Sequence, residues 1–288
     1  MTRTIRIKKG ADIRLKGRPS TQVEQASSAP LYAVQPPNYQ GIVPKLEVKE
    51  GATVKAGSTL FHSKEHPEVK FLSPVSGTVK QVVRGEKRRI LAVVVEADGK
   101  NELHAFASVD PAATDREALV AAVAERGFFA FIEQRPFATV ANPTDVPRSI
   151  HVSGFDSAPL AADMEVALAG REAAFQSGIH ALRVLAGGSN VQLGTKAVQT
   201  FFNAIEGVDT FTFEGPHPTG NAGVQIHHTR PINKGEVVWT MHAEDVANLG
   251  ETLSSGTYCA TRVVAVAGSE CDAPRHLQTT LGCAISTL

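Results

Sequence analysis

Three short apolar runs, "SIHVSG" at 149–154, "NVQLG" at 190–194 and "DTFTF" at 209–213, alternate with segments of helical period. Phe175, Ile179 and Leu182 fall at i, i+4 and i+7, and Gly187-Gly188 closes that segment. Val198, Phe202 and Ile205 mark a second helix by the same spacing. A strand–helix–strand–helix–strand order leaves few choices. It predicts a parallel sheet with crossover helices, because parallel neighbours cannot be joined by a tight turn. "EVVWTM" at 236–241 and "AEDVANLGETL" at 243–253 add one more strand and helix. Upstream, Thr114 and Glu117 suit a T-x-x-E capping box before Leu119, Val120 and Val123, with Gly127 as the stop.

The first third reads differently. "GIVPKLEVKEGATVKAGSTLF", "VKFLSPVSGTVKQVV" and "RRILAVVVEADG" are β-branched runs cut by glycine turns at Gly51, Gly57 and Gly77. Such spacing predicts a small barrel or sandwich. The chain is thus expected to be α/β and multidomain. A β-rich domain covers 1–102, a Rossmann-like parallel domain covers 103–255, and strands around a turn begin a further unit at 256–288. Thirty-odd residues are too few to bury a core alone, so that last piece packs on the rest or is the start of something longer.

Charge narrows the partners. The 29 basic and 29 acidic side chains cancel, so bulk charge gives no reason to expect nucleic acid. Residues 1–18 are locally basic, with Arg3, Arg6, Lys8, Lys9, Arg14, Lys16 and Arg18 against Asp12. That suits an edge-protecting face, or contact with an acidic partner or lipid headgroups. No run approaches the ~20 apolar residues that span a bilayer, and the start lacks a secretory core, so a cytoplasmic location is expected. Cys259, Cys271 and Cys283 form no CxxC pair, which argues for buried free thiols over a zinc or iron–sulfur site.

In an open parallel sheet, ligands sit beyond the carboxyl ends of the strands. That rule points to Gly154–Pro159, Gly194–Lys196 and Glu214–Gly220. None carries G-x-G-x-x-G or a P-loop, so the layout comes without the glycines that cradle a nucleotide. His217, His227 and His228, and also His62 and His66, are weak metal candidates. Adjacent histidines on a strand would face apart, and Pro67 breaks any helix through "HSKEHPEV". "GFFAFIEQRPF" at 127–137 concentrates Phe128, Phe129, Phe131 and Phe137 beside Arg135 and Pro136. It reads either as core packing at a domain seam or as an apolar recess with one guanidinium, suited to a flat ligand bearing carbonyls.

The glycine-cut segment "VKEGATVKAGSTLF" with "SPVSGTV" resembles the hammerhead of biotinyl and lipoyl carrier domains. The hairpin between them, "SKEHPEVK", lacks a carrier lysine motif, and Lys64 and Lys70 are poor substitutes. Such a barrel-sandwich hybrid, then a Rossmann-like domain and an incomplete β-grasp (SLBB-like) piece, resembles the A-subunit family of sodium-translocating NADH:quinone reductases. The likeness rests on "KKGADIRLKG", "HPEVKFLSPVSGTV", "RGEKRRIL", "QRPFATV", "APLAADMEVALAGREAAFQSGIHAL", "EGPHPTGNAGVQIHH", "VVWTMHAEDV" and "TRVVAVAGS".

The resemblance implies a peripheral subunit on the cytoplasmic side of a bacterial inner-membrane complex that passes electrons from NADH to ubiquinone and exports Na+. The complex carries flavins and an iron–sulfur cluster, but this subunit is expected to hold no cofactor and no metal. Its partners would be the other, especially membrane-embedded, subunits and ubiquinone. The middle domain looks like the flavin-binding subunit of respiratory complex I with its flavin and NADH loop lost. The family's quinone region is placed near Tyr32–Gly41 and Phe131–Ala138, which makes Tyr32, Tyr39, Phe129, Phe131, Arg135, Pro136 and Phe137 candidate quinone contacts. Family chains run beyond this endpoint, so a shortened chain is expected. The alternatives are a purely structural docking subunit, or a flavin-binding NADH-handling relative such as the C-subunit of the Rnf complex. The last would need cluster cysteines and a glycine-rich flavin loop.

Overall fold

A computed structural model describes residues 3–288. The first strand, β1 (Arg3–Arg6), leaves the N-terminal module altogether and pairs in parallel at the far edge of the large sheet. Its Arg6 meets Glu214 at 2.7 Å, which places charge on an edge that would otherwise be open for pairing. The second, β2 (Val23–Gln25), also leaves and lies parallel to a strand near the end of the chain.

The module itself is built from β3 (Leu31–Val34), β4 (Pro44–Leu46), β5 (Thr53–Val54), β6 (Thr59–Ser63), β7 (Lys70–Leu72), β8 (Gly77–Arg84) and β9 (Ile90–Ala97). They form two small sheets, ordered β3-β9-β8-β5 and β4-β6-β7. Leu60, Phe61, Phe71, Val79, Val93 and Val95 fill the space between them. Phe61 and Phe71 stack with centroids 4.5 Å apart.

With α1 (Arg116–Glu125) the chain is in the second domain. Asp115, not Thr114, caps α1, accepting from the Ala118 amide at 2.9 Å. An aspartate one residue nearer the helix displaces the threonine of the expected box. Then come β10 (Ile132–Arg135), β11 (Thr139–Val140), β12 (Ser149–Ser153), α2 (Met164–Leu168), α3 (Glu172–Leu185), β13 (Val191–Thr195), β14 (Asp209–Glu214), α4 (Ala222–Thr229), β15 (Val238–His242) and α5 (Ala243–Ser255). The sheet order is β1-β14-β13-β12-β15-β10-β11, parallel from β1 to β15 and antiparallel at β10 and β11.

Helices α3 and α5 cross against each other over one face of this sheet. A Cβ at Gly178 would strike the Val246 carbonyl and one at Gly250 the Ala174 carbonyl, so both crossing points need glycine. The expected helix through Val198, Phe202 and Ile205 is instead a single 3-10 turn, Phe201–Ala204. The Glu165 carboxylate accepts from the Thr200 and Phe201 amides and the Thr200 hydroxyl, which fixes a turn that a helix would unmake. Burial opposes charge on Glu165, but those bonds prevail and hold its pKa low. Phe202 points into the core while Val198 stays exposed.

The chain ends in a hairpin of β16 (Thr261–Val266) and β17 (Arg275–Thr280), to which β2 adds a third strand. The three cysteines are free but half-buried rather than buried. Burial pushes the Cys259 thiol pKa up.

Candidate functional site

The order β14-β13-β12-β15 means that the chain steps away from β12 in one direction and then returns to its other side. The topological switch point therefore lies between β12 and β15, where the loops leaving the two strands diverge. A groove of about 350 Å³ opens there. Ser153, Phe155 and Asp156 line it from β12, His242 and Asp245 from β15 and α5, and Gly220–Ala222 from the start of α4. Glu133, Arg135 and Thr240 continue its floor, and Tyr39 and Phe131 also line it.

The floor belongs to one face of the sheet. Side chains alternate along a strand. Ile150, Val152, Leu193, Trp239 and Met241 join the main core. His151, Ser153, Gln192 and Thr240 consequently face α4. Gln225 of α4 binds this row: its Oε1 lies 2.7 Å from His151 Nε2, and its amide donates to Ser153 Oγ and the Thr219 carbonyl. Burial pushes the His151 pKa down, against the raising effect of its bond to Gln225.

Arg135 donates from Nη2 to Glu133 at 2.6 Å and from Nε to Thr240 Oγ1 at 3.3 Å. A guanidinium has five N–H groups, so donors remain for a ligand. Across the groove, Arg262 donates to Asp245 and Glu244, and to His242 Nδ1 at 3.0 Å. Arginine cannot accept, so His242 Nδ1 is the acceptor and its hydrogen sits on Nε2. Burial alone would lower the Arg262 pKa, but Asp245 and Glu244 raise it above its ordinary value. Burial, with the Asp245 charge, pushes Tyr39 up to about 12, so its hydroxyl keeps its proton and can donate.

The sequence candidates separate into groups. Tyr39, Phe131 and Arg135 meet at the groove. Pro136 lies beside it in a cleft of about 260 Å³ that Arg135 also lines, against Ile226 and His227 of α4. Tyr32 is buried in the N-terminal module, its hydroxyl accepting from the Ala29 amide. Phe128 and Phe129 are 1% and 0% exposed, and Phe129 packs edge-on against Trp239 at 5.8 Å. Phe137 is 75% exposed and lines none of these cavities.

Sequence reasoning missed His242, Asp245 and Asn221. The carboxyl-end rule pointed to the loops after β12, β13 and β14, but the switch point makes the loop after β15 the more informative one. At the neighbouring ends the sheet is closed. Gln199 donates to the Gly154 carbonyl at 2.8 Å, and a Cβ on Gly154 would strike the Phe202 ring, so side chains fill the space of a phosphate-binding turn.

His227 and His228 are on α4 and not on a strand, with rings crossed at 5.1 Å. His62 pairs with Glu47 at 2.6 Å and His66 with Glu68 at 3.5 Å, so the two do not converge. Among the described residues no group of three or more His, Cys, Asp or Glu could hold a metal ion. No helix there is long and apolar enough to cross a membrane.

A barrel-sandwich hybrid joined to an open α/β sheet with this switch-point groove defines a recognisable two-domain class. Residues 5–98 match the family model described as the NqrA N-terminal barrel-sandwich hybrid domain, and residues 114–258 match the NqrA second alpha/beta domain. The chain is 35% identical over 287 residues to the A-subunit of the Na(+)-translocating NADH-quinone reductase of Pseudomonas aeruginosa, covering 99% of this chain and 64% of that protein. It is 34% identical over 287 residues to that of Rhodopirellula baltica, covering 98% and 63%, and 33% over 286 to that of Saccharophagus degradans, covering 99% and 64%. The chain belongs to the NqrA family, the A-subunits of Na(+)-translocating NADH-quinone reductases. It spans just under two thirds of the length of these relatives.

Proposed function

We propose that the chain serves a bacterial sodium-pumping NADH:ubiquinone oxidoreductase as a peripheral subunit on the cytoplasmic side of the inner membrane. There it contributes to binding ubiquinone and to assembly with the membrane-embedded subunits. NADH oxidation, flavin and iron–sulfur chemistry and Na+ movement belong to the complex, and this chain holds no redox cofactor of its own. The observation that carries the reading is the groove between β12 and β15. It is lined by two aromatic residues, Tyr39 and Phe131, together with Arg135, which has spare N–H groups, and His242, whose hydrogen is on Nε2. A quinone ring is flat, apolar on its faces and an acceptor at two carbonyls, and those are the surfaces the groove complements.

A second reading, a docking subunit with quinone held elsewhere, draws on Phe128 and Phe129. Both are buried, Phe128 against Phe131 and Tyr258 and Phe129 against Trp239, so neither ring is free to meet a ligand. Titrating the protein with a short-chain ubiquinone, while following the backbone amide signals of Phe128–Phe137 and His242, separates the two. Saturable shifts centred on Phe131, Arg135 and His242 are expected. No saturable change leaves docking as the function. Flavin or NADH retained in stoichiometric amount by the purified chain would overturn the reading that it carries no cofactor.

A further inference from the structure

The basic segment near the N-terminus divides in two. Arg6 of β1 pairs with Glu214 at the sheet edge. Beyond β1 the chain runs to β2 without regular structure, and every residue from Lys8 to Lys16 is exposed. This strap is held at both roots. The Ala11 amide donates to the His217 carbonyl at 3.0 Å, and the His217 amide donates to the Asp12 carboxylate at 2.9 Å. At the other root the Gly268 amide donates to the Gly17 carbonyl at 3.0 Å. Between them the Leu15 amide donates to the Ile13 carbonyl at 3.1 Å, a three-residue turn with Arg14 at its tip. Ile13 is 65% exposed and Leu15 55%. Among the described residues, no other two large exposed apolar side chains lie within two positions of each other. Single exposed apolar residues are ordinary, but a pair on one short turn calls for a partner. Arg14 and Lys16 alternate with this pair, and Lys8, Lys9 and Arg18 flank it. The one acid of the strap, Asp12, is engaged with the His217 amide. Glu270 and Asp272, in the loop that receives Gly17, offset part of the charge at that root.

We infer that the strap rests on an anionic phospholipid surface, with Ile13 and Leu15 at the acyl boundary and the basic side chains among the phosphates. The inference rests on the membrane-peripheral part of the proposed function and is independent of the quinone site. Interleaved cations and apolar side chains match a surface that carries anionic headgroups over hydrocarbon. Nucleic acid would meet the cations and leave Ile13 and Leu15 in water. Arg14 and Lys16 have long stems, so their charges stay at headgroup level while the apolar neighbours go deeper. Only side chains enter. The peptide groups of so short a turn have no internal partners for a hydrocarbon environment and remain hydrated. Two apolar side chains and a handful of cations make a weak, reversible anchor, so the strap orients a chain that other subunits hold in place.

The test is flotation of the chain with phosphatidylcholine vesicles, either pure or containing about 30% phosphatidylglycerol. Binding is expected to the anionic vesicles alone and to weaken as salt rises. Ile13→Ser with Leu15→Ser keeps every cation and should weaken binding about tenfold. Arg14→Gln with Lys16→Gln keeps both apolar side chains and should weaken it at least as much. All four side chains are exposed, so both variants should melt with the unmodified chain, and each stands as a test should the other fail to fold. Val198→Ser removes an apolar side chain that is 80% exposed elsewhere on the surface and should leave binding unchanged. Equal binding to neutral and anionic vesicles, or undiminished binding by the Ile13 and Leu15 double variant, overturns the inference. So does retention on immobilised polyglutamate without flotation, which would assign the strap to an acidic protein. The quinone titration above should be the same for the unmodified chain and the Ile13 and Leu15 double variant. Failed flotation with that titration intact overturns the strap and leaves the quinone site standing, and the opposite result does the reverse.

Discussion

β12, β13 and β15 present two different surfaces to the helices on either side of them. Toward α3 and α5 they show Ile150, Val152, Val191, Leu193, Trp239 and Met241, all in one continuous apolar core. Toward α4 they show His151, Gln192 and Thr240, equally hidden from solvent but polar, with Ser153 half-buried beside them. The first surface is held by packing, the second by hydrogen bonds, His151 and Ser153 to Gln225, Gln192 to Thr229, and Thr240 to Arg135 and Glu133. The groove and its Arg135 and His242 donors lie on or at the end of the polar surface, while Tyr39 reaches it from the N-terminal module. A core that depends only on close packing tolerates no vacancy. A hydrogen-bonded face can leave a groove at its rim, and here it also leaves His151 Nδ1 and Ser149 Oγ without a partner.

The largest expected effect is on the apolar side. Phe175 of α3 is fully buried against Phe201 and Phe202, with centroids at 5.6 and 5.5 Å. Phe175→Ala should cost about 3–5 kcal/mol in urea unfolding. A loss under about 1 kcal/mol would mean that this surface relaxes as readily as the other, and the contrast would fail.

On the polar side the cost should depend on partners more than on volume. Gln225→Leu strips His151 Nε2, Ser153 Oγ and the Thr219 carbonyl of the same side chain and should cost about 1–3 kcal/mol. Replacing both ends, His151→Phe with Gln225→Leu, should cost less than the sum of the single changes, because neither leaves the other unpaired. A coupling of about 1–2 kcal/mol in the double-mutant cycle is expected. Strict additivity would show that the two side chains act independently.

Much of this architecture is legible in residue spacing. β12, β13, β14 and β15 announce themselves as short apolar runs, and α3 by its i, i+4, i+7 phenylalanine, isoleucine and leucine. The glycine-cut runs of the N-terminal module read correctly as small β sheets. What escaped is set by contacts distant in the chain. The turn at Phe201–Ala204 depends on Glu165, and the placement of β1 and β2 depends on strands more than 200 residues later. The groove escaped in part for the same reason. Strand order, which identifies the loop after β15, is a property of crossovers and not of any one motif. Tyr39, Phe131 and Arg135 come together only when the N-terminal module folds against the sheet. The polar face did leave a trace: His151, Gln192 and Thr240 each interrupt an apolar strand, and that alternation marks a buried surface that is not a hydrocarbon core.

The smallest effect separates the two faces by pH. The apolar surface has no group that titrates, so its contribution should be flat across neutrality. The polar surface contains His151, whose pKa burial pushes below its ordinary value, with the Arg135 charge adding to that direction and the bond to Gln225 opposing it. The folded protein therefore binds this proton less readily than the unfolded chain does. Full stability is present above the unfolded value of about 6.5. It falls as pH drops below that value, because the unfolded state then takes up a proton the native state refuses, with a slope of at most about 1.4 kcal/mol per pH unit for one group. His151→Gln keeps a donor for Gln225 and cannot titrate. Its melting temperature should decline less than that of the unmodified chain between pH 6.5 and about 5, above the range where carboxylates take over. Parallel curves for the two proteins would mean that His151 protonates where it stands, and that the row under α4 is open to water.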